Sequence, residues 1–117
     1  MLLAVDANIL VAELLRPRGR ELIRRTDLEL HVADEAWAEA RQHVPRRINA
    51  MVAQQRIGQA DAQALLEIAI TTASDSVRLA HTSTFARYEE TARARIPADE
   101  RDWPTVALAL ALDADIW

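Results

Sequence analysis

The sequence predicts an α/β protein, a three-layer α/β/α sandwich around a mainly parallel sheet, formed by one domain over residues 1–117. Three observations carry this. Short apolar or alternating runs recur at residues 2–5, 28–33, 77–80 and 115–117, each of strand length. Longer stretches of helical periodicity separate them. Half of the 117 residues are hydrophobic, which is enough for a core without disulfide or metal staples.

The elements follow in order. Residues 2–5 are continuously apolar, as a strand buried on both faces must be. Ile9, Leu10, Ala12, Glu13, Leu14 and Leu15 then read as a helix ending near Arg16-Pro17, with a short helix at 20–25. Residues 28–33 alternate around Leu30 and Val32, a second strand. Asp34 is the expected N-cap of a helix with Ala36, Trp37, Ala40 and Val44 inward. Pro45 should kink or end it. The pattern resumes over 46–56, with Gly58 as a stop. Residues 59–72 form the clearest helix, with Leu65, Leu66, Ile68 and Ala69 as its apolar face, and Ser74-Asp75-Ser76 is a turn. After the strand at 77–80, Thr82 or Ser83 caps a helix to about Arg95, closed by Ile96-Pro97. A polar loop at 99–103 leads to a helix at 105–112 with Pro104 in its first turn, where a missing N–H costs nothing. That helix is apolar nearly all round, so it should be buried on most sides. A turn at Asp113-Ala114 leads into the last strand.

Composition excludes much chemistry. Cysteine is absent, so there is no disulfide framework and no thiolate metal site. All 14 basic residues are arginine, which removes every mechanism that needs a lysine. The two glycines share no loop, so no glycine-rich phosphate cradle can form. A net charge of −4 argues against a protein that simply coats nucleic acid. Only five aromatic residues occur, too few for a base-stacking surface. The apolar start meets Asp6 at once and does not read as a signal peptide. The apolar run at 106–112 is too short to span a bilayer. The expected setting is the cytoplasm, with no membrane partner.

Ligands of open parallel sheets bind at the carboxyl ends of the strands, so acids just after strands draw attention. Asp6 ends the first strand; it could serve a site or cap the helix, a role Asn8 could fill equally well. Glu39 lies near the edge of the inward face of its helix. Glu35 is the weaker choice, because a first-turn acid is explained by the helix dipole. Asp99 and Asp102 bracket the start of the buried last helix, and Asp102 could cap it. Carboxylates gathered at one sheet edge repel each other unless a cation lies between them. Hard cations such as Mg²⁺ or Mn²⁺ take oxygen ligands, and a metal so held can activate water against a phosphodiester.

These residues resemble the PIN domain, the nuclease domain of VapBC-type toxin–antitoxin systems and related ribonucleases. Leu3-Ala4-Val5-Asp6-Ala7-Asn8 is similar to the family's first motif, a strand followed by Asp-x-Asn. The stretch 31–40 is similar to the second, a helix after strand two that carries a glutamate. Asp99-Glu100-Arg101-Asp102-Trp103-Pro104, the Ala/Leu helix and Asp113-Ala114-Asp115-Ile116-Trp117 are similar to the third motif and its strand. The resemblance spans essentially the whole chain. It implies that Asp6, Glu39 and Asp102 are catalytic metal-site acids, with Asp99 a further metal acid and Asn8 supporting the first. It also implies Mg²⁺- or Mn²⁺-dependent cleavage of RNA, a homodimer, and, for a VapC-like toxin, a neutralising antitoxin partner. PIN domains usually continue past the last strand into a Thr-x-Asp segment with another acid. This sequence ends at Trp117, where that segment would begin. The expectation is therefore a naturally shorter chain or one truncated at its C-terminal end, and in either case one acid fewer for metal binding and activity.

Among the arginines, Arg16, Arg18 and Arg20 are the expected phosphate contacts, because their loop follows the helix after Asp6. His31, His43 and His81 lack ligand spacing. Trp37 and Trp103 read as core or interface, with Trp103 placed to pack the loop that carries Asp102. A receiver domain is excluded by the missing lysine, and a dehalogenase-type phosphatase by Asn8 where a second aspartate is required. The remaining rival is a catalytically impaired PIN-like binding or dimerisation module.

Overall fold

The computed structural model describes residues 1–96 and 100–117. Among them four strands, β1 (Leu2–Ala4), β2 (Glu29–Ala33), β3 (Val77–Ala80) and β4 (Asp115–Ile116), form one sheet in the order β3-β2-β1-β4. Every pairing is parallel, with Leu3 opposite Leu30 on one side and opposite Asp115 on the other. The helices are α1 (Ala7–Leu14), α2 (Pro17–Ile23), α3 (Asp34–Ala53), α4 (Gln59–Ser76), α5 (Thr82–Phe85), α6 (Glu89–Arg95) and α7 (Trp103–Leu112). The expected α/β class, parallel sheet and four strand positions all hold. Ala4, Val5, Leu30 and Val32 of the central strands are fully buried, as a sheet covered on both faces requires.

Several local expectations are corrected. Pro45 neither ends α3 nor splits it; the helix runs unbroken for 20 residues. Val44 and Ile48 flank it and are both buried, and packing on either side outweighs the single lost backbone bond. The stop before α4 is Gln55 in the left-handed region at φ 60°, while Gly58 becomes the N-cap residue of α4. Ser74, Asp75 and Ser76 extend α4 instead of turning, because their turn preference is weak against docking of buried Ala73. Ile68 points to solvent, and the buried face of α4 is Ala62, Ala69, Thr72 and Ala73. Thr72 satisfies its hydroxyl by donating to Ile68 O (2.7 Å) and accepting from Arg24 Nη2 (3.0 Å). The single helix expected from Thr82 to Arg95 is divided into α5, a 3-10 turn at Ala86–Tyr88, and α6. Phe85, at the break, is fully buried and lies 5.9 Å from the Trp103 ring. The loop expected at 99–103 contains a 3-10 turn, Glu100–Asp102, and α7 begins at Trp103.

Asp34 is not a cap residue but the first residue of α3, following Ala33 at the N-cap. Its carboxylate accepts from Thr82 N (3.0 Å), from Thr82 Oγ1 (2.9 and 3.0 Å) and from Glu35 N (2.8 Å). These bonds tie the end of β2 to the end of β3, which pair through Ala33 and Ala80. Partial burial pushes this carboxyl up, yet the bonds from Thr82 and Glu35 prevail and hold it below the ordinary value.

Two outcomes follow for stability. A folded-state pKa below the unfolded one contributes stability above the ordinary value of 3.8, lost as pH falls through the folded value. Urea melts from pH 7 downwards should therefore show an acid-labile fraction below about pH 4. Asp34→Asn should remove that fraction and lower stability at pH 7 by about 1–3 kcal/mol; an unchanged pH profile would sink the assignment. At Gly19 the α1–α2 crossing is so close that a Cβ would lie 2.1 Å from Glu13 O. Gly19→Ala should cost about 1–3 kcal/mol or more, through forced separation of the two helices, and a melt at the wild-type midpoint would contradict this.

Candidate functional site

β1 lies between β2, which follows it in the chain, and β4, which the chain reaches last. The chain moves from β1 outward through β2 to β3 and then crosses back to β4 on the other side of β1, so the strand order reverses beside β1 and a crevice opens at its carboxyl end. Asp6 stands there. Its backbone is extended (φ −81°, ψ 164°) and Oδ1 accepts from Ile9 N at 2.8 Å, so it caps α1. Asn8, the alternative cap, lies exposed within the first turn of α1 instead. Capping occupies one carboxylate oxygen of Asp6 and leaves the other available to the crevice.

The crevice is a cleft of about 110 Å³. The start of α1 contributes Asp6 and Ala7; α3 contributes Glu35, Ala36 and Glu39; the start of α7 contributes Arg101, Asp102, Pro104 and Thr105. Asp6, Glu39 and Asp102 thus come together from three elements far apart in sequence. Asp102 occupies the N-cap position of α7, but its side chain does not cap the helix. Trp103 next to it is buried, packed by Phe85, with the Arg93 guanidinium 5.3 Å from its ring centre. Those contacts fix the start of α7 and with it the position of Asp102.

Glu35 is the cleft residue that sequence reasoning sets aside. A first-turn acid does suit the helix dipole. Glu35 and Glu39 are also spaced i, i+4, which places both on one helix face, and that spacing is the available signal. Arg101 carries no such signal; along the chain it is one of many arginines on helix faces. Asp99 lies outside the described residues. Arg16, Arg18 and Arg20 do not line the cleft. They follow the far end of α1, whose 8 residues span about 12 Å. Arg16 pairs with Glu13, Arg20 Nη1 donates to Leu14 O at 2.9 Å, and Arg18 borders a separate hollow with Glu21, Leu22 and Arg25.

Four carboxylates against one guanidinium leave the cleft strongly negative. Its donors are oxygens, with no histidine among them, which suits a hard divalent cation. Among the described residues, however, no group of three or more acids or histidines converges on one ion position. One or two carboxylates with water in the remaining positions is an ordinary shell for Mg²⁺, so the donor set fits such an ion without a closed protein cage. Another hollow, between Trp37, Ala73, Ser74, Val77 and Leu79 and of about 260 Å³, has no charged lining residue and no comparable chemistry.

Because Asp6 both caps α1 and faces the cleft, two substitutions separate these roles. Asn caps as well as Asp, so Asp6→Asn should leave the denaturation midpoint near wild type, whereas Asp6→Ala should lose about 1 kcal/mol. Equal losses in both would show that the charge itself, not the cap bond, holds the helix start.

No curated protein matches the chain. The family described as PIN domain matches residues 4–117, which include the end of β1 with Asp6, the glutamate-bearing helix α3 and the Asp102–α7 segment. PIN domains are generally nucleases and typically bind divalent metals. The parallel sheet, the crevice beside β1 and this near-complete match lead to one conclusion: the chain belongs to the PIN domain family.

Proposed function

We propose that this protein is a Mg²⁺- or Mn²⁺-dependent endoribonuclease, of the kind that serves as the toxin of a toxin–antitoxin pair. One observation supports the reading above others: Asp6, Glu39 and Asp102 line a single negative cleft at the carboxyl end of β1. Asp6 and Glu39 would hold the ion with water in its remaining positions, while Asp102 adds negative charge to the same cleft and Asp99 lies outside the described residues. When bound, such a metal would supply Lewis-acid polarisation and make water easier to deprotonate, so that hydroxide is available to attack phosphorus. The chain's own residues orient the substrate and carry charge. Asp6 is held rigidly by its cap bond, so its free oxygen keeps one position through the reaction. Buried Thr105 and Pro104 give the cleft a firm wall that limits water on that side. Arg101 lines the same cleft and places a guanidinium at its rim.

As a toxin-type protein it would act in the cytoplasm, be neutralised by a protein antitoxin, and form a homodimer. Among the described residues, β3 and β4 each pair on one side only, and they expose Leu79 and Ile116 (50% and 51%). Apolar side chains on open sheet edges favour self-association. The second reading is a catalytically impaired binding or dimerisation module, favoured by the absence of three converging acids among the described residues.

The decisive assay is cleavage of end-labelled mixed RNA with Mg²⁺, with Mn²⁺ and with EDTA. Cleavage should need the metal. Asp6→Asn, Glu39→Gln and Asp102→Asn should each lower it by about two orders of magnitude or more, since each 1.36 kcal/mol of lost transition-state stabilisation is tenfold. Stable dimers that neither bind metal calorimetrically nor cleave RNA would establish the impaired module instead.

A further inference from the structure

α3 carries two kinds of charge along one face. Glu35, Glu39, His43, Arg47 and Met51 follow one another at intervals of four residues, a stripe that turns only slowly around the helix. Along α1, Ile9 and Glu13 continue the line from its N-cap Asp6 toward Arg16, the N-cap of α2. The cleft takes the first members of both and a second hollow takes the last. This hollow, about 610 Å³, has Ile9, Leu15 and Met51 as its apolar lining and Arg16, Arg47 and Arg56 as its cations. Arg16 is partly neutralised by Glu13. Arg47 and Arg56 are exposed and form no ion pair among the described residues. Both hollows border the furrow where α1 packs against α3, negative beside Asp6 and positive about 12 Å further along α3, the rise of the eight residues from Glu39 to Arg47.

We propose that the Arg16–Arg47–Arg56 end of this furrow is a binding track for single-stranded RNA, holding phosphates of the strand a few nucleotides from the bond cut at the cleft. The inference rests on the ribonuclease reading above. The chemistry favours a polyanion that reaches both ends. Only a strand with regularly spaced phosphates can present one to a metal among the acids and others to guanidiniums along the same two helices. The lining holds no aromatic residue on which bases could stack, so retention rests on the phosphate contacts, which do not read sequence. A chain with a net charge of −4 needs such a local cationic surface to retain RNA at all.

The test uses the full chain and a fluorescent single-stranded RNA, with anisotropy measured in EDTA so that binding is read without turnover. For a single strand, each arginine removed from a phosphate lowers the slope of log affinity against log salt by about 0.7. Arg47→Ala with Arg56→Ala should weaken binding several-fold at low salt and reduce that slope by about 1.4. Arg78→Ala with Arg87→Ala removes equal charge from residues that line neither hollow, and should change little. In cleavage, the Arg47/Arg56 double variant should raise KM for long RNA while leaving kcat and the cutting of di- or trinucleotides near wild type. Unchanged binding and salt slope in that variant would overturn the track, as would an equal loss in the Arg78/Arg87 control. If RNA binds as described but is never cleaved, the track stands and the nuclease reading fails. If RNA is cleaved with a KM indifferent to Arg47 and Arg56, the nuclease reading stands and the track fails.

Discussion

The arrangement of this protein depends on one constraint, the parallel pairing of β1 with a strand on each side. Parallel strands all end at the same edge, so every loop that leaves a strand toward a helix opens on that side. Leu3 faces Leu30 and Asp115 in register, and Ala4 and Val5 are buried completely. Asp6 is the first residue after β1 free of that burial. Any slip of β1 would move it along the edge and carry the whole of α1 with it. The same pairing places the start of α3 after β2 and brings α7 back across the sheet toward β4. The acidic cleft is thus a consequence of strand order before it is a consequence of side-chain choice.

α3 converts that edge into a longer surface. It is the longest helix described, and its continuity through Pro45 holds Glu35 and Glu39 in rigid relation to Arg47 and Met51. Its start is tied by Asp34 to Thr82, so the glutamates are braced against β3 as well as β2. Negative charge at the N-terminal end accords with the helix dipole, whereas Arg47 stands short of the last turn, which holds no basic residue, and Arg56 follows the helix. At the opposite wall, Gly19 lets α2 cross close over Glu13 near the end of α1.

The alternation of strands and helices is legible in the sequence because apolar periodicity is local. Residues 2–5, 28–33 and 77–80 show it within their own few positions, and the sheet contains all of them. Asp6, Glu39 and Asp102 are legible as acids at or near element ends, and they share the cleft. The failures have physical causes as well. Ser74 to Ser76 carry turn chemistry, but a propensity worth tenths of a kcal/mol yields to the docking of Ala73. Pro45 carries a break signal that burial of Val44 and Ile48 overrides. Asp34 has the chemistry of a cap, and its carboxylate serves a residue 48 positions away that no local pattern reveals. Glu35 escapes notice because one explanation, the dipole, suffices for it until its neighbour at i+4 is weighed.

By itself the sequence determined the kinds of element, their order, the absence of thiol and lysine chemistry, and an acid at the end of the first strand. These depend on residue type and spacing within a few turns or pleats. The tertiary structure alone decided that Arg101 joins the acids, that Arg16, Arg18 and Arg20 lie away from them, and that Arg47 and Arg56 share a hollow with Arg16. Those outcomes depend on which strands pair and how α1, α3 and α7 cross, and such long-range geometry leaves no periodic trace along the chain.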